Sequence, residues 1–231
     1  MVSDINFLLV GNSRLHWAKY SKNQSQFFHT KKEQKVPENI DFNQLIWASV
    51  GKLPNFSLKE ENEIKTKDIQ LSNLPDYFGV DRALACLAAL NTIKNPLKKD
   101  LLIADFGTIL SITKLNSNGS IIGGQLLPGF LTQLKSMEQN TKNLKVPKKY
   151  DIPIKDFLIN TEEAILKGVI NSLTGVINSL FNPGKDILLI CGGDSEFLTK
   201  SLKTQKDSVI NAPNLAMEGM IIHYLSVKKL L

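Results

Sequence analysis

The chain has 231 residues, of which 42% are hydrophobic and 22% charged, the balance of an ordinary globular protein long enough to bury a core without disulfide staples. A net charge of +6 and a pI near 9.2 raise nucleic acid as a partner. The excess is divided equally between residues 1–100 and 101–231 without a dense basic block, so nucleic-acid binding is not expected. No apolar run approaches a membrane span, no basic segment precedes an apolar one at the N-terminus, and Cys86 and Cys191 stand alone. A cytoplasmic protein without a membrane partner is expected.

Ile5 to Val10 is an apolar run that reads as a strand, followed by a bend at Gly11-Asn12-Ser13. Arg14 to Tyr20 alternates like a second strand, Ser21 to Gln24 is a turn, and Ser25 to His29 a short third strand. Leu45 to Val50 reads as a buried strand ended by Gly51. Gly79 precedes Val80-Asp81-Arg82 and an Ala- and Leu-rich helix, and Asn95-Pro96 to Asp100 is a polar break that suggests a domain boundary.

The opening pattern then returns. Leu101 to Ala104 is a buried strand that stops at Asp105-Phe106-Gly107-Thr108, Ile109 to Leu115 is a second, Asn116 to Gly119 a turn, and Ile121 to Leu127 a third. Gly107 lies 96 residues after Gly11, and Asn12 then falls on Thr108. Repetition at that length indicates a duplicated domain. At this level Asp105 reads first as a turn residue in a buried β-meander, and second as part of a Gly-rich bend whose amides cradle a phosphate.

Leu131 to Asn143 is expected to be helical, and a long helix is expected from Asn160 to about Phe181, with Asn160 and Glu163 spaced as a capping box. Gly168 and Gly175 share one face of it, where another backbone could approach. Asp186 to Ile190 is a buried strand, Cys191 to Asp194 turns into a helix reaching about Leu202, Ser208 to Asn211 is a last strand, and Pro213 to Val227 an amphipathic helix. The order predicts an α/β protein with a mixed sheet in each half, residues 1–97 and 98–231.

Neither a GxxxxGK[ST] loop, GxGxxG, HExxH nor GxSxG occurs, and His16, His29 and His223 are too far apart in sequence to suggest a metal cluster. What remains is the ordered set GNSRLHWA (Gly11 to Ala18), GVDR (Gly79 to Arg82), DFGT (Asp105 to Thr108), IIGGQLLPG (Ile121 to Gly129), NTEEAI (Asn160 to Ile165), CGGD (Cys191 to Asp194) and NLAMEG (Asn214 to Gly219). In that order and over nearly the whole chain they resemble the motifs of type III pantothenate kinases. The resemblance implies duplicated ribonuclease-H-like domains of the actin and hexokinase group, each with a mixed five-stranded-type sheet flanked by helices, and an active site in the interdomain cleft. It implies ATP-dependent phosphorylation of pantothenate towards coenzyme A, a need for Mg²⁺ and a monovalent cation (K⁺ or NH₄⁺), and a homodimer.

Carried over by motif, Asp81 is the general base on the pantothenate hydroxyl, and Gly79, Val80, Arg82 and Thr161 contact that substrate. Gly11, Asn12, Ser13, Arg14 and Thr108 contact ATP, Asp105 binds the monovalent cation, and Gly192-Gly193 lies near the nucleotide. The residues themselves also admit blander roles: Asp81 as a helix first-turn acid, Arg82 as a surface ion pair, Thr161 as a cap. Leu9 departs from the family's Asp-x-Gly-Asn-Thr, removing a carboxylate that Asp4, five residues upstream, does not replace. An aromatic residue often found ahead of GxDR is not obvious, Tyr77 being close but misplaced. The alternatives are a kinase of another small alcohol such as a sugar, or a non-catalytic nucleotide-sensing regulatory protein.

Overall fold

Ile5–Val10 (β1) and Arg14–Ser21 (β2) pair antiparallel across the Gly11–Ser13 bend. Lys22 and Asn23 both take positive φ, 49° and 62°, so a two-residue turn matched to the strand twist returns the chain into Gln24–Lys31 (β3). Ile46–Ser49 (β4) joins β1 in parallel, giving the order β3-β2-β1-β4. β1 is apolar at nearly every position because both faces of the sheet are covered: Phe7 and Leu9 enter one core, Leu8 and Val10 the other. The computed structural model describes residues 4–34, 36–37, 40–93, 99–203 and 208–228.

Asp100–Phe106 (β5), Ile109–Leu115 (β6), Ile121–Pro128 (β7), Asp186–Cys191 (β8) and Val209–Asn211 (β9) form the second sheet, ordered β7-β6-β5-β8-β9. β5 pairs antiparallel with β6 and parallel with β8, as β1 does with β2 and β4. The repeat seen in the sequence is therefore a repeat of topology. The first sheet has four strands where five were expected; a single parallel bridge, Trp47 to Glu63, stands where the fifth would run.

The helices are Val80–Thr92 (α1), Phe130–Asn140 (α2), Thr161–Leu180 (α3), Ser195–Thr199 (α4) and Leu215–Val227 (α5). The chain divides into two compact units, Met1–Leu97 with Asn118–Ile121 and Asn214–Leu231, and Lys98–Ser117 with Ile122–Pro213. The expected boundary at 97/98 lies outside the described residues. The final helix, assigned by sequence to 98–231, belongs instead with the first sheet.

In the first unit, α1 and α5 cover the Phe7–Leu9 face together with Ile64 and Ile69. α5 is not the two-faced helix that was expected: Leu215, Met217, Met220, Ile221, His223 and Leu225 are buried around most of its circumference. Small residues make this possible. A Cβ on Gly219 would lie 2.0 Å from the Leu84 carbonyl oxygen, so the two helix backbones touch there. Gly219→Ala is expected to cost roughly 2–3 kcal/mol by overpacking, which lowers Tm by about 4–12 °C in a chain of this size. Gly168→Ala is its control. Gly168 and Gly175 meet nothing within 4 Å, so no backbone approaches them as the sequence suggested, and alanine at 168 should leave Tm level or raise it.

In the second unit α3 packs Leu166, Val169, Ile170, Leu173 and Ile177 against the sheet residues Leu102, Ala104, Leu188 and Ile190. Asn160 caps it, its side chain accepting the Glu163 backbone N–H at 3.1 Å. Asp186, wholly buried, accepts from Lys114 at 3.0 Å and from the Asn182 backbone N–H at 2.8 Å, which satisfies it as a structural group.

Candidate active site

Each sheet ends in a short bend pressed from behind by a glycine. In the first unit Gly11 donates its N–H to the Arg14 carbonyl at 3.0 Å, closing the turn that exposes Asn12, Ser13 and Arg14. Gly51, just past β4, packs against it; a Cβ there would fall 2.2 Å from the Gly11 oxygen. The register places Leu9, two residues before Gly11, opposite His16 on β2 and Ala48 on β4. Its side chain is buried with the core residues Phe7 and Met217, so the position of the missing carboxylate is apolar here. Asp4 lies at the other end of β1, paired with Lys19 at 2.7 Å and hydrogen-bonded by Ser21, and does not substitute.

The second unit repeats the arrangement with its carboxylate kept. Asp105 pairs in register with Ser111 and Cys191 near the end of the central strand β5. Gly192, past β8, has φ +90°, and a Cβ on it would lie 2.4 Å from Asp105 Oδ1 and 2.5 Å from the Phe106 carbonyl oxygen. Only glycine leaves that space open. Thr108 is exposed at the bend, and its carbonyl accepts from the Gly129 N–H at 2.9 Å and from the Thr132 hydroxyl at 2.6 Å. Two anchors thus fix the backbone that presents the Thr108 side chain.

Asp81 stands in the first turn of α1, where Oδ1 accepts the Arg82 backbone N–H at 2.7 Å. That contact is the local helix-start role. It does not set the carboxyl's proton affinity: burial pushes the pKa of Asp81 up, outweighing the lowering by Arg82. An acid influenced only by the helix start would be shifted down; at Asp81 burial outweighs that effect. Arg82 lies over the Phe78 ring, 4.0 Å from its centroid, while Tyr77 is 92% exposed. Beside Gly79 and Val80 opens a cavity of about 440 Å³ bounded by Ser49, Glu63, Lys65, Lys67 and Asp76, with Asp81 outside its lining. Its size suits a small molecule.

Thr161 is the exposed first residue of α3; the cap is its neighbour Asn160. Gly11, Asn12, Ser13, Arg14, Gly79, Val80, Asp81 and Arg82 belong to the first unit, and Asp105, Thr108 and Thr161 to the second.

Two residues that looked unrelated in the sequence come together. His16 and His29 are direct partners across β2 and β3, with Nδ1 to Nδ1 at 2.9 Å, and the Nε2 side of His16 lies 3.1 Å from where a Gly11 Cβ would sit. Burial, His29 and Arg14 together push His16 down to about 4. His29 is lowered by burial and Arg14 against a hydrogen bond with Asn214.

A family profile described as type III pantothenate kinase matches residues 55–182. A type III pantothenate kinase of Synechocystis sp. is 30% identical over 94% of this chain and 89% of its own length. Among solved structures, a conserved putative Baf family transcriptional activator from Campylobacter jejuni superposes with TM-score 0.66 at 20% identity, covering 98% of this chain and 100% of that one. An archaeal actin homologue in complex with ADP, Ta0583, gives TM-score 0.50 at 12% identity over 98% and 100%. The fold is that of the actin-like ATPases.

Proposed function

The chain belongs to the type III pantothenate kinase family, and from that premise we propose that it transfers the γ-phosphoryl group of ATP to the primary hydroxyl of pantothenate. The product is 4′-phosphopantothenate, on the route to coenzyme A. Asp81 takes the hydroxyl proton as the alkoxide oxygen bonds to phosphorus and ADP leaves with the γ–β bridging oxygen. The observation that carries this reading is a first-turn carboxylate whose proton affinity is raised by burial, beside a cavity of substrate size. Gly79, Val80, Arg82 and Thr161 hold pantothenate, with the Phe78 ring fixing the guanidinium of Arg82. Gly11, Asn12, Ser13, Arg14 and Thr108 hold the ATP phosphates.

Asp105 supplies the hard-oxygen donor that K⁺ or NH₄⁺ would use, and the close approach of Gly192 to its Oδ1 holds that carboxylate in place. At the first bend the fit for a metal fails, since Leu9 supplies no ligand and no cluster of three His, Cys, Asp or Glu side chains is placed for one among the described residues. Mg²⁺ would be held by the nucleotide's own phosphates and water. Bound cations neutralise the charge of the transferring phosphoryl group. The same premise supports a cytoplasmic homodimer, in keeping with Ile154, Phe157 and Ile159, which stand 94% or more exposed ahead of α3.

An acceptor panel tests the substrate. With ATP, Mg²⁺ and K⁺, mass spectrometry should find a phosphorylated product with pantothenate and none with hexoses or glycerol. Product with a sugar and none with pantothenate would move the reading to another small-alcohol kinase.

A further inference from the structure

Strand register lines up Ala48 on β4, Leu9 on β1, His16 on β2 and His29 on β3 in one row, and directly opposed residues share a face of the sheet. Arg14 and its partner Lys31 lie two residues along on that same face. His16 is the link in a chain: its Nε2 side abuts Gly11 of the bend, its Nδ1 meets His29 Nδ1 at 2.9 Å, and His29 bonds the side chain of Asn214 at the start of α5.

A neutral imidazole has one N–H. We assign the one N–H of His29 to its bond with the Asn214 side chain, a bond that favours its protonated form, which leaves Nδ1 as the acceptor. His16 must then donate from Nδ1, which leaves its Nε2 lone pair facing the bend. A bare nitrogen repels a phosphate oxygen. One added proton reverses this, making Nε2–H a charged donor while every other bond in the chain stays as it was.

We propose that the His16–His29 pair is a proton-gated contact for the phosphate chain of a nucleoside triphosphate, and that binding draws one proton from solvent onto His16 Nε2. The inference rests on the reading above that places phosphates at Gly11–Ser13. No bond to phosphorus changes; the only transfer is solvent to imidazole. The surroundings keep the pair uncharged until an anion arrives. Burial, His29 and Arg14 all act against a charge on His16, and Lys31 adds a cation on the same face. On α5 the only acid near the start is Glu218, which burial itself pushes towards its neutral form. β1 and β4 present Leu9 and Ala48, which carry no charge. A carboxylate at position 9, opposite His16, would hold the proton permanently; with Leu9 the proton comes and goes with the ligand.

Calorimetric titration of the full chain with a non-hydrolysable ATP analogue, in two buffers of different ionisation enthalpy at pH 6.5, tests this. The wild type should take up about one proton more than His16→Gln, whose side chain donates without charging and whose subtraction cancels the analogue's own titration. Wild-type affinity should weaken by up to about tenfold per pH unit relative to His16→Gln as pH rises through neutrality. Ring ¹⁵N spectra of the wild type should show His16 Nε2 gaining its proton on saturation, a signal independent of stability. Equal uptake in the two proteins, an unprotonated His16 in the complex, or no binding of the analogue at any pH from 5.5 to 8 overturns the proposal. Binding and turnover without uptake would leave the kinase reading standing; uptake without pantothenate phosphorylation would do the reverse.

Discussion

Asp81→Asn is expected to lower kcat for pantothenate phosphorylation by about 10²–10⁴-fold while leaving the fold intact. Asparagine keeps the size of the side chain and the acceptor for the Arg82 N–H, and loses only the ability to take a proton. The pH dependence has a definite sign. Burial raises the Asp81 pKa, so the wild-type rate should climb as pH rises through that raised value and level off above it. Stability runs the opposite way. A carboxyl whose folded pKa lies above its unfolded one favours the fold while protonated, and that contribution is lost as pH rises through the folded pKa. Asp81→Asn should therefore match or exceed the wild-type Tm at neutral pH, with the gap closing in acid. Steady-state rates and thermal melts over one pH series check both signs.

Gly192→Ala is expected to damage stability and chemistry together. Its φ of +90° is strained for any L side chain, and its new Cβ would collide with Asp105 Oδ1 at 2.4 Å and the Phe106 oxygen at 2.5 Å. Strain of that kind costs about 1–3 kcal/mol, so Tm should fall by roughly 2–12 °C before the collisions add to it. Displacing the Asp105 carboxylate by about an ångström should cost on the order of 10²-fold in kcat, with K⁺ activation lost. Gly107→Ala discriminates the cause: its Cβ would stand 3.9 Å from Asp105 Oδ1, an ordinary contact, so cation dependence should persist.

The strands and their repetition were legible because alternation and buried apolar runs are local signals, and the Lys22-Asn23 turn reported its hairpin directly. A two-residue turn centred between Lys22 and Asn23 places His16 opposite His29, so the pair follows from register and not from separation along the chain. The sequence reads Pro213 to Val227 as amphipathic, because local pattern does not report what encloses a helix. The helix is instead enclosed by α1 and the sheet, with Gly219 permitting contact that no periodicity encodes. Gly168 and Gly175 show the converse, since small residues on one face allow an approach that nothing here makes. The substitution at Leu9 was visible at once, but that it stands in a row with two imidazoles needed the strand pairing. The raised proton affinity of Asp81 depends on what closes over it, which residues 79–82 alone do not specify.

The central claim is pantothenate phosphorylation with Asp81 as the base, and the most direct measurement is ADP release from ATP by the wild type and Asp81→Asn, each with and without pantothenate in K⁺ buffer. The wild type should release ADP only when pantothenate is present, matched mole for mole by 4′-phosphopantothenate, and Asp81→Asn should release almost none. ADP release that ignores pantothenate, or an Asp81→Asn protein as fast as the wild type, would contradict it.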